Sequence, residues 1–374
     1  MKFSEIIGQE DTVARLRQMA EENRMPHALM LTGASGYGTL PLALALASWL
    51  LGEREEGTST NVEAMLNKFR HPDLHFVYPV IRPTGTPSSR DITSDDFASE
   101  WQELLFRSPF FTFEEWLTAM KTENQQAQIF AAEADLLIHK LSLKSSQGGY
   151  KVCIMWLPER MNVAFANKIL KLLEEPPSQT VFLLVSEEPQ KLLETIRSRV
   201  QRIDVKRISD EAIKAALMSR RGLDDATAER VTHVACGNWL RATDFLDTGN
   251  ENREFHGMFV MLMRFAYQRN TMGMKKWADA VASYGREKQK RLLKYMASQV
   301  RENFMYNFCD PQLVYMTEEE EQFSKNFARF VNENNVVEML NLIDKTMRAI
   351  GQNANAKMQF FDFALKTIVL IVRK

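Results

Sequence analysis

The chain has 374 residues, with 47 lysines and arginines against 48 aspartates and glutamates, and a formal net charge of −1 at pH 7. This length predicts two or three domains, and the balanced charge disfavours an independent DNA-binding protein. Three scattered cysteines, Cys153, Cys236 and Cys309, form no paired motif, so we expect neither a metal site nor disulfides. With no signal peptide and no apolar stretch of about 18 residues, a cytoplasmic protein that avoids membranes is expected.

The first 205 or so residues alternate between strand and helix patterns. An amphipathic stretch over 3–23 predicts a helix, and further helices are expected over 62–69, 95–144 (interrupted near Pro109), 161–173 and 190–198. Short apolar runs predict five strands, over 28–32, 73–81, 152–156, 180–185 and 200–205. Strands that alternate with helices predict a parallel sheet covered on both faces.

The strand signal ends near residue 209, and the remainder is helical, with turns near Gly222, Gly237, Pro311 and Gly351. The pattern predicts an α/β domain over 1–206, a small helical lid over 207–250 and a helical C-terminal domain over 251–374. Residues 52–61 read as a polar loop and 82–95 as a flexible insertion.

A glycine-rich loop follows the first predicted strand and precedes a helical run. It matches the phosphate-binding pattern G-x-x-x-x-G-K-[ST] at Gly33 and Gly38, with Gly36 between them. Thr39 stands where the pattern has the lysine that reaches the β- and γ-phosphates, and Leu40 stands where it has the hydroxyl that holds Mg²⁺. The loop should therefore bind and hydrolyse ATP poorly, and we expect no cofactor.

A series of ordered motifs points to a known family. The chain resembles the AAA+ clamp-loader subunits of bacterial DNA polymerase III, most closely those of the delta-prime type. The motifs that carry the resemblance are Ile7-Gly8-Gln9, His71-Pro72-Asp73-Leu74, the segment 161–177 ending Leu172-Leu173-Glu174-Glu175-Pro176-Pro177, Thr195-Ile196-Arg197-Ser198-Arg199-Val200, Gly237-Asn238 with Arg241, and Asn353-Ala354-Asn355. The resemblance implies a AAA+ P-loop-type α/β domain, a helical lid and a C-terminal helical collar domain.

The departures from that family concern the ATP chemistry. Active members carry an acidic pair after the third strand, where this chain has Trp156 and Leu157. Glu159 lies two positions beyond this pair, and we interpret it as a cap or surface residue. Many relatives also have a four-cysteine zinc module, but residues 48–70 contain no cysteine. Since magnesium-assisted phosphoryl transfer needs both the phosphate-binding cation and the metal ligands, the resemblance implies a subunit that is not itself an ATPase.

Arg199 is the residue that the resemblance marks for chemistry. In the family, the Ser-Arg motif places an arginine at a subunit boundary, where it reaches the γ-phosphate of the neighbour's ATP; Ser198 would support the loop. The alternative is a solvated basic surface, since Arg197, Arg202, Lys206 and Arg207 lie nearby. Arg241 matches a second arginine that senses nucleotide in active members, and it could equally serve to pack the lid.

The resemblance thus implies a non-catalytic delta-prime-type subunit that supplies Arg199 to a neighbouring ATPase during sliding-clamp loading onto primed DNA. The implied partners are the gamma/tau and delta subunits, and indirectly the clamp and DNA. The assembled holoenzyme would have DNA-directed DNA polymerase activity. Two alternatives remain open, a gamma/tau-like ATPase with residual nucleotide binding and a purely structural ring scaffold.

Overall fold

The structure, a computed structural model, describes residues 1–22, 24–52, 60–83, 85, 87, 90–121, 126–146, 149–247, 249–309, 314, 316–352 and 354–372. The chain forms two compact units, Met1–Arg241 and Ala242–Lys374. Most of the loop predicted at 52–61 and part of the insertion predicted at 82–95 lie outside the described residues, as do Pro311 and Asn353.

The first unit is built on a five-stranded parallel sheet with strand order β2-β3-β4-β1-β5. Its strands are β1 Ala28–Thr32, β2 Leu74–Val77, β3 Lys151–Trp156, β4 Thr180–Ser186 and β5 Gln201–Asp204. Every residue of β1, β3 and β4 is buried, as expected for inner strands of a parallel sheet covered on both faces. All five predicted strands are confirmed. β2 ends before Pro79, which has no N–H to donate to a neighbouring strand.

Helices cover both faces of this sheet. They are α1 Glu10–Glu21, α2 Thr39–Leu50, α3 Thr60–Asn67, α4 Ala98–Arg107, α5 Phe113–Ala119, α6 Ala131–Ser142, α7 Val163–Glu174 and α8 Glu194–Arg197. Alternate residues of β1 enter different apolar cores, Leu29 and Leu31 on one face and Ala28 and Met30 on the other. This alternation follows from the two-residue period of a strand.

Three predicted helices are wrong in part. The region predicted as helical over 95–144, with one interruption near Pro109, is interrupted again between α5 and α6, where Gln128 and Ile129 form isolated bridges with Val80 and Met161. Gly8 (φ 62°) and Gln9 (φ 65°) have left-handed backbone conformations, and they separate a 3₁₀ turn at Phe3–Glu5 from α1. The helix predicted over 190–198 is reduced to the single turn of α8. Before it, Leu192 is extended and buried, so its apolar side chain reaches the core from a non-helical backbone.

Two further helices lie in the first unit, α9 Asp210–Arg221 and α10 Asp225–Ala235. A third helix, α11 Trp239–Asp247, begins in the first unit. The predicted turns at Gly222 (φ 66°) and Gly237 (φ 75°) separate them. Positive φ values of this kind are adopted by glycine with little strain.

The second unit is helical in every element that the structure describes. It comprises α12 Gly249–Tyr267, α13 Thr271–Ala282, α14 Arg286–Tyr306, α15 Glu318–Phe327, α16 Val336–Gly351 and α17 Ala356–Val372. They enclose one apolar core, which includes Phe259, Leu262, Trp277, Leu292, Met296 and Phe360. The predicted fold class, α/β followed by all-α, is confirmed. Across the described ranges, no helix combines the length and the apolar character needed to cross a bilayer.

Candidate functional site

The glycine-rich loop connects β1 to α2, the strand–loop–helix arrangement predicted from the sequence. Gly36 (φ 88°) and Gly38 (φ 92°) both lie in the left-handed region. Thr39 and Leu40, which stand at the lysine and hydroxyl positions of the phosphate-binding pattern, face inward. Thr39 is 6% exposed and Leu40 is 5% exposed, and Leu40 belongs to the apolar core of the unit. A leucine in that environment has no group with which to hold Mg²⁺.

Asn238 covers the middle of the loop. Its Nδ2 donates to the Ser35 carbonyl at 2.7 Å, and the Trp239 N–H donates to the Gly36 carbonyl at 3.1 Å. A methyl group on Gly36 would lie 2.1 Å from Asn238 Oδ1. Gly36 is therefore required by the contact between the loop and the start of α11.

Asn238 is also the N-cap of α11, because its Oδ1 accepts the Arg241 N–H at 3.1 Å. A side-chain oxygen in this position satisfies a backbone donor that the helix leaves open. One amide thus binds the loop through its nitrogen and caps the helix through its oxygen. The side chain of Arg241 is exposed. The backbone N–H of Arg241 is the group that donates to Asn238 Oδ1.

Two other segments close around the same loop. Gln9 Nε2 donates to the Tyr37 carbonyl at 3.1 Å and to the Lys206 carbonyl at 2.6 Å, so the N-terminal motif ties the loop to the segment after β5. Phe110 lies 3.8 Å from the position that a methyl group on Gly38 would take. Its ring centroid is 6.2 Å from that of Trp239.

An aromatic cluster surrounds Trp156, one of the two positions after the third strand at which the resemblance leads us to expect acidic residues in active members. Trp156 is 3% exposed and Leu157 is 2% exposed. The Trp156 ring lies 5.2 Å from the rings of both Trp101 and Phe111, measured between centroids. An ionised carboxylate in such an environment would be strongly destabilised unless it were paired. The segment that contains α4 and α5 supplies these aromatic partners.

Glu159, interpreted from the sequence as a cap or surface residue, binds the turn that follows β4 and caps none of the described helices. Its Oε1 accepts the N–H groups of Glu187 and Glu188 at 2.9 and 3.1 Å, and its Oε2 accepts the Ser186 hydroxyl at 2.9 Å. Burial raises the pKa of the neighbouring Glu187, and a hydrogen bond from the Ser35 side chain opposes that rise. Within the described residues, no cluster of histidine, cysteine, aspartate and glutamate could hold a metal ion.

Arg199 lies near the start of β5, at the opposite end of the parallel strands from the glycine-rich loop. It comes two residues before Gln201, which pairs with Leu29 near the start of β1, whereas the loop begins directly after Thr32, the partner of Asp204. Gln201 and Asp204 are three residues apart, which separates their levels by about 10 Å along the strands, and Arg199 precedes Gln201 in a turn on the side away from the loop. Arg199 is therefore remote from the loop of its own chain.

The Arg199 guanidinium is partly exposed and held by nearby acceptors. Its Nε and Nη2 lie 2.7 and 2.5 Å from Glu174 Oε1, and its Nη1 donates to the Thr195 carbonyl at 2.7 Å. Ser198 Oγ donates to the same carbonyl at 3.2 Å, which supports the turn. The structure thus groups Arg199 with Ser198 and Glu174, and groups the loop glycines with Asn238.

Sequence reasoning assigned no role to Asn238, Gln9, Phe110 or Glu174. Asn238 carries one recognisable signal, an asparagine between a glycine and a helix start, which is typical of an N-cap. The contact of Phe110 with the loop has no local sequence signal, because it joins segments about 70 residues apart.

Comparison with known proteins places these features in a family. A family model described as "DNA polymerase III, delta subunit" matches residues 8–209, more than half of the chain. DNA polymerase III subunit delta′ of Bacillus subtilis (strain 168) is 28% identical over 203 residues, which cover 54% of this chain and 48% of that protein. The delta′ subunit of Yersinia pestis is also 28% identical over 203 residues, covering 53% and 44%.

A third relative is DNA polymerase III subunit tau of Bacillus subtilis (strain 168), 34% identical over 113 residues, which cover 29% of this chain and 20% of that protein. The chain spans a little under half the length of the two delta′ relatives that it matches. The family match covers the sheet, the glycine-rich loop and the Arg199 segment. The chain therefore belongs to the DNA polymerase III delta-subunit family, whose model it matches over residues 8–209, and its relatives include subunits named delta′ and tau.

Proposed function

We propose that this chain is a delta-prime-type clamp-loader subunit that does not hydrolyse ATP. The observation that carries the proposal is the glycine-rich loop. Its two ligand positions are the buried Thr39 and Leu40, and Asn238 lies against Gly36. At the metal-ligand positions, Trp156 packs against aromatic rings and Leu157 is buried in the apolar core. Magnesium-assisted phosphoryl transfer requires groups that neither place supplies.

We further propose that Arg199 acts in trans, on ATP bound by a neighbouring gamma/tau-type subunit. Two features support this role. The side chain is 34% exposed, and it is remote from the loop of its own chain. A guanidinium suits the task because it is always charged and presents planar donors to phosphate oxygens. Relatives named tau and gamma/tau motivate that choice of partner.

The remaining parts of the proposal follow the resemblance. The chain would divide into an α/β domain (1–206), a lid (207–250) and a collar domain (251–374). The collar domain would hold the subunits of the assembly together. The delta subunit would be a second partner, with the sliding clamp and primed DNA contacted through the assembly. No cofactor or metal is needed for this role.

The test is DNA- and clamp-stimulated ATP turnover by the cognate gamma/tau and delta subunits, with no added chain, the wild type or Arg199→Ala. A trans arginine finger contributes roughly 10³–10⁵ in turnover at the site that it serves. We therefore expect the wild type to stimulate and the variant to assemble without stimulating at that site. Arg197→Ala is the matched control, since it removes a charge from the same turn, where Arg197 pairs with Glu194.

Each alternative has a distinct outcome. Equal stimulation by the wild type and Arg199→Ala would favour a structural ring scaffold, in which Arg199 has no chemical part. ATP binding by the isolated chain, measured by equilibrium titration and abolished by Gly38→Val, would favour a gamma/tau-like subunit with residual nucleotide binding.

A further inference from the structure

Glu174 and Arg199 come from different motifs and meet at one point. Glu174 is the last residue of α7. Glu175 follows in a non-helical conformation (φ −127°, ψ 70°), because the residue before a proline is disfavoured in the helical region. Pro176 and Pro177 therefore fix where α7 ends, and so fix the position from which the Glu174 carboxylate reaches Arg199.

The contacts divide the donors of the guanidinium into two sets. An arginine has five N–H donors, one on Nε and two on each terminal nitrogen. Glu174 Oε1 lies within 2.7 Å of Nε and within 2.5 Å of Nη2, and the Thr195 carbonyl accepts from Nη1 at 2.7 Å. These contacts engage three of the five donors. One N–H on Nη1 and one on Nη2 remain for a phosphate oxygen, and Nη1 also lies 3.4 Å from Ser198 Oγ.

The pair contributes little to the stability of the fold. The Arg199 side chain is 34% exposed and that of Glu174 is 48% exposed, and ion pairs at such sites are screened by water and salt. The contact instead restricts the orientation of a long side chain with many rotamers. A guanidinium already held in one orientation loses less freedom when a phosphate arrives.

We propose that Glu174 is a positioning residue for Arg199, which it holds with two N–H donors directed to the neighbouring subunit's nucleotide. This inference rests on the proposed trans role of Arg199. It assigns a task to the Glu174-Glu175-Pro176-Pro177 segment: the prolines end the helix, and the first glutamate orients the arginine.

The experiment measures kcat and KM for ATP in the reconstituted clamp loader, with clamp and primed DNA, for Glu174→Ala and Glu174→Gln. Glu175→Gln is the matched control, because it removes an equal charge from the adjacent exposed position. We expect Glu174→Ala to lower kcat about tenfold with KM unchanged, since a misplaced catalytic group slows the chemical step. Glu174→Gln retains an oxygen that can accept from Nε and Nη2, so it should lose less than about threefold.

Two other outcomes of this experiment would contradict the positioning role of Glu174. A kcat above the wild type for Glu174→Ala would mean that the pair sequesters Arg199, and this would overturn the positioning role. Equal kcat for Glu174→Ala, Glu175→Gln and the wild type would also overturn it. The double variant Glu174→Ala/Arg199→Ala should match Arg199→Ala alone, because Glu174 acts only through the arginine.

Failure of this inference is distinguishable from failure of the proposed function. If Arg199→Ala itself leaves kcat unchanged, the trans role is wrong and Glu174 has no finger to orient. If Arg199→Ala removes stimulation while Glu174→Ala behaves as the wild type, only the positioning role is wrong. A thermal unfolding measurement on each variant verifies that the fold is intact, as the exposure of the pair predicts.

Discussion

Substitution of Gly36 by alanine should destabilise the first unit even though no ligand is involved. The new methyl group would lie 2.1 Å from Asn238 Oδ1, so the side chain of Asn238 must move away. That movement breaks the hydrogen bond from Asn238 to the Ser35 carbonyl and disturbs the one from the Trp239 N–H to the Gly36 carbonyl.

The magnitude follows from three contributions. The left-handed backbone of Gly36 (φ 88°) costs an alanine at least about 1 kcal/mol. Each of the two hydrogen bonds contributes about 1 kcal/mol net. The free energy of unfolding should therefore fall by about 3 kcal/mol in urea denaturation monitored by circular dichroism.

Gly222→Ala separates backbone strain from the contact with Asn238. Gly222 also has a positive φ, 66°, but no atom lies within 4 Å of the position that its methyl group would take. It should lose only about 1 kcal/mol. Equal losses for the two variants would refute the reasoning. So would strict additivity of Gly36→Ala with Asn238→Ala, because removing the Asn238 amide relieves the clash.

Two other predictions concern buried or half-buried positions. Burial, assisted by the charge of Lys140, lowers the pKa of His75 from 6.5 to about 4. The unfolded chain therefore takes up this proton first, and stability falls by about 3 kcal/mol as the pH drops from 6.5 to 4. His75→Gln should flatten the profile of unfolding free energy over that window, and an unchanged slope would contradict the assignment. Leu157→Asp should be less stable than Leu157→Asn at pH 7, since an ionised carboxylate is costlier to bury than an amide, and the gap should close on acidification below the carboxyl pKa. A pH-independent gap in thermal melts of the two variants would show that charge burial is not its cause.

The strands were predictable because each is a short apolar run between polar or proline-containing segments. The run over 180–185, for example, became β4 almost unchanged. The helix over 190–198 was predicted wrongly because Leu192 and Ile196 have helical spacing, yet Leu192 reaches the core from an extended segment. Periodicity reports which side chains are buried but cannot distinguish the backbone paths that bury them.

Only part of the chemistry of the candidate site could be predicted from the sequence. The motifs show Thr39 at the lysine position of the phosphate-binding pattern, and Trp156 and Leu157 where the resemblance implies an acidic pair, so the proposed lack of ATP chemistry could be predicted. What fills the resulting space is not visible, because Asn238 reaches a loop about 200 residues earlier in the chain. Glu174 and Arg199 are likewise 25 residues apart in the chain. Their contact depends on where the end of α7 lies relative to β5, which the sequence pattern does not give.

The aromatic cluster around Trp156 has a consequence for any substitution that would introduce a metal ligand at this position. Replacing Trp156 with an acidic residue would remove a ring packed against Trp101 and Phe111, at a cost of roughly 3–5 kcal/mol. Such a loss is a large fraction of the stability of a typical domain, and it would come before any benefit from nucleotide binding. A carboxylate introduced at Trp156 would therefore destabilise the first unit before it could serve as a metal ligand, so under the proposed function a single substitution at this position is not expected to create hydrolysis.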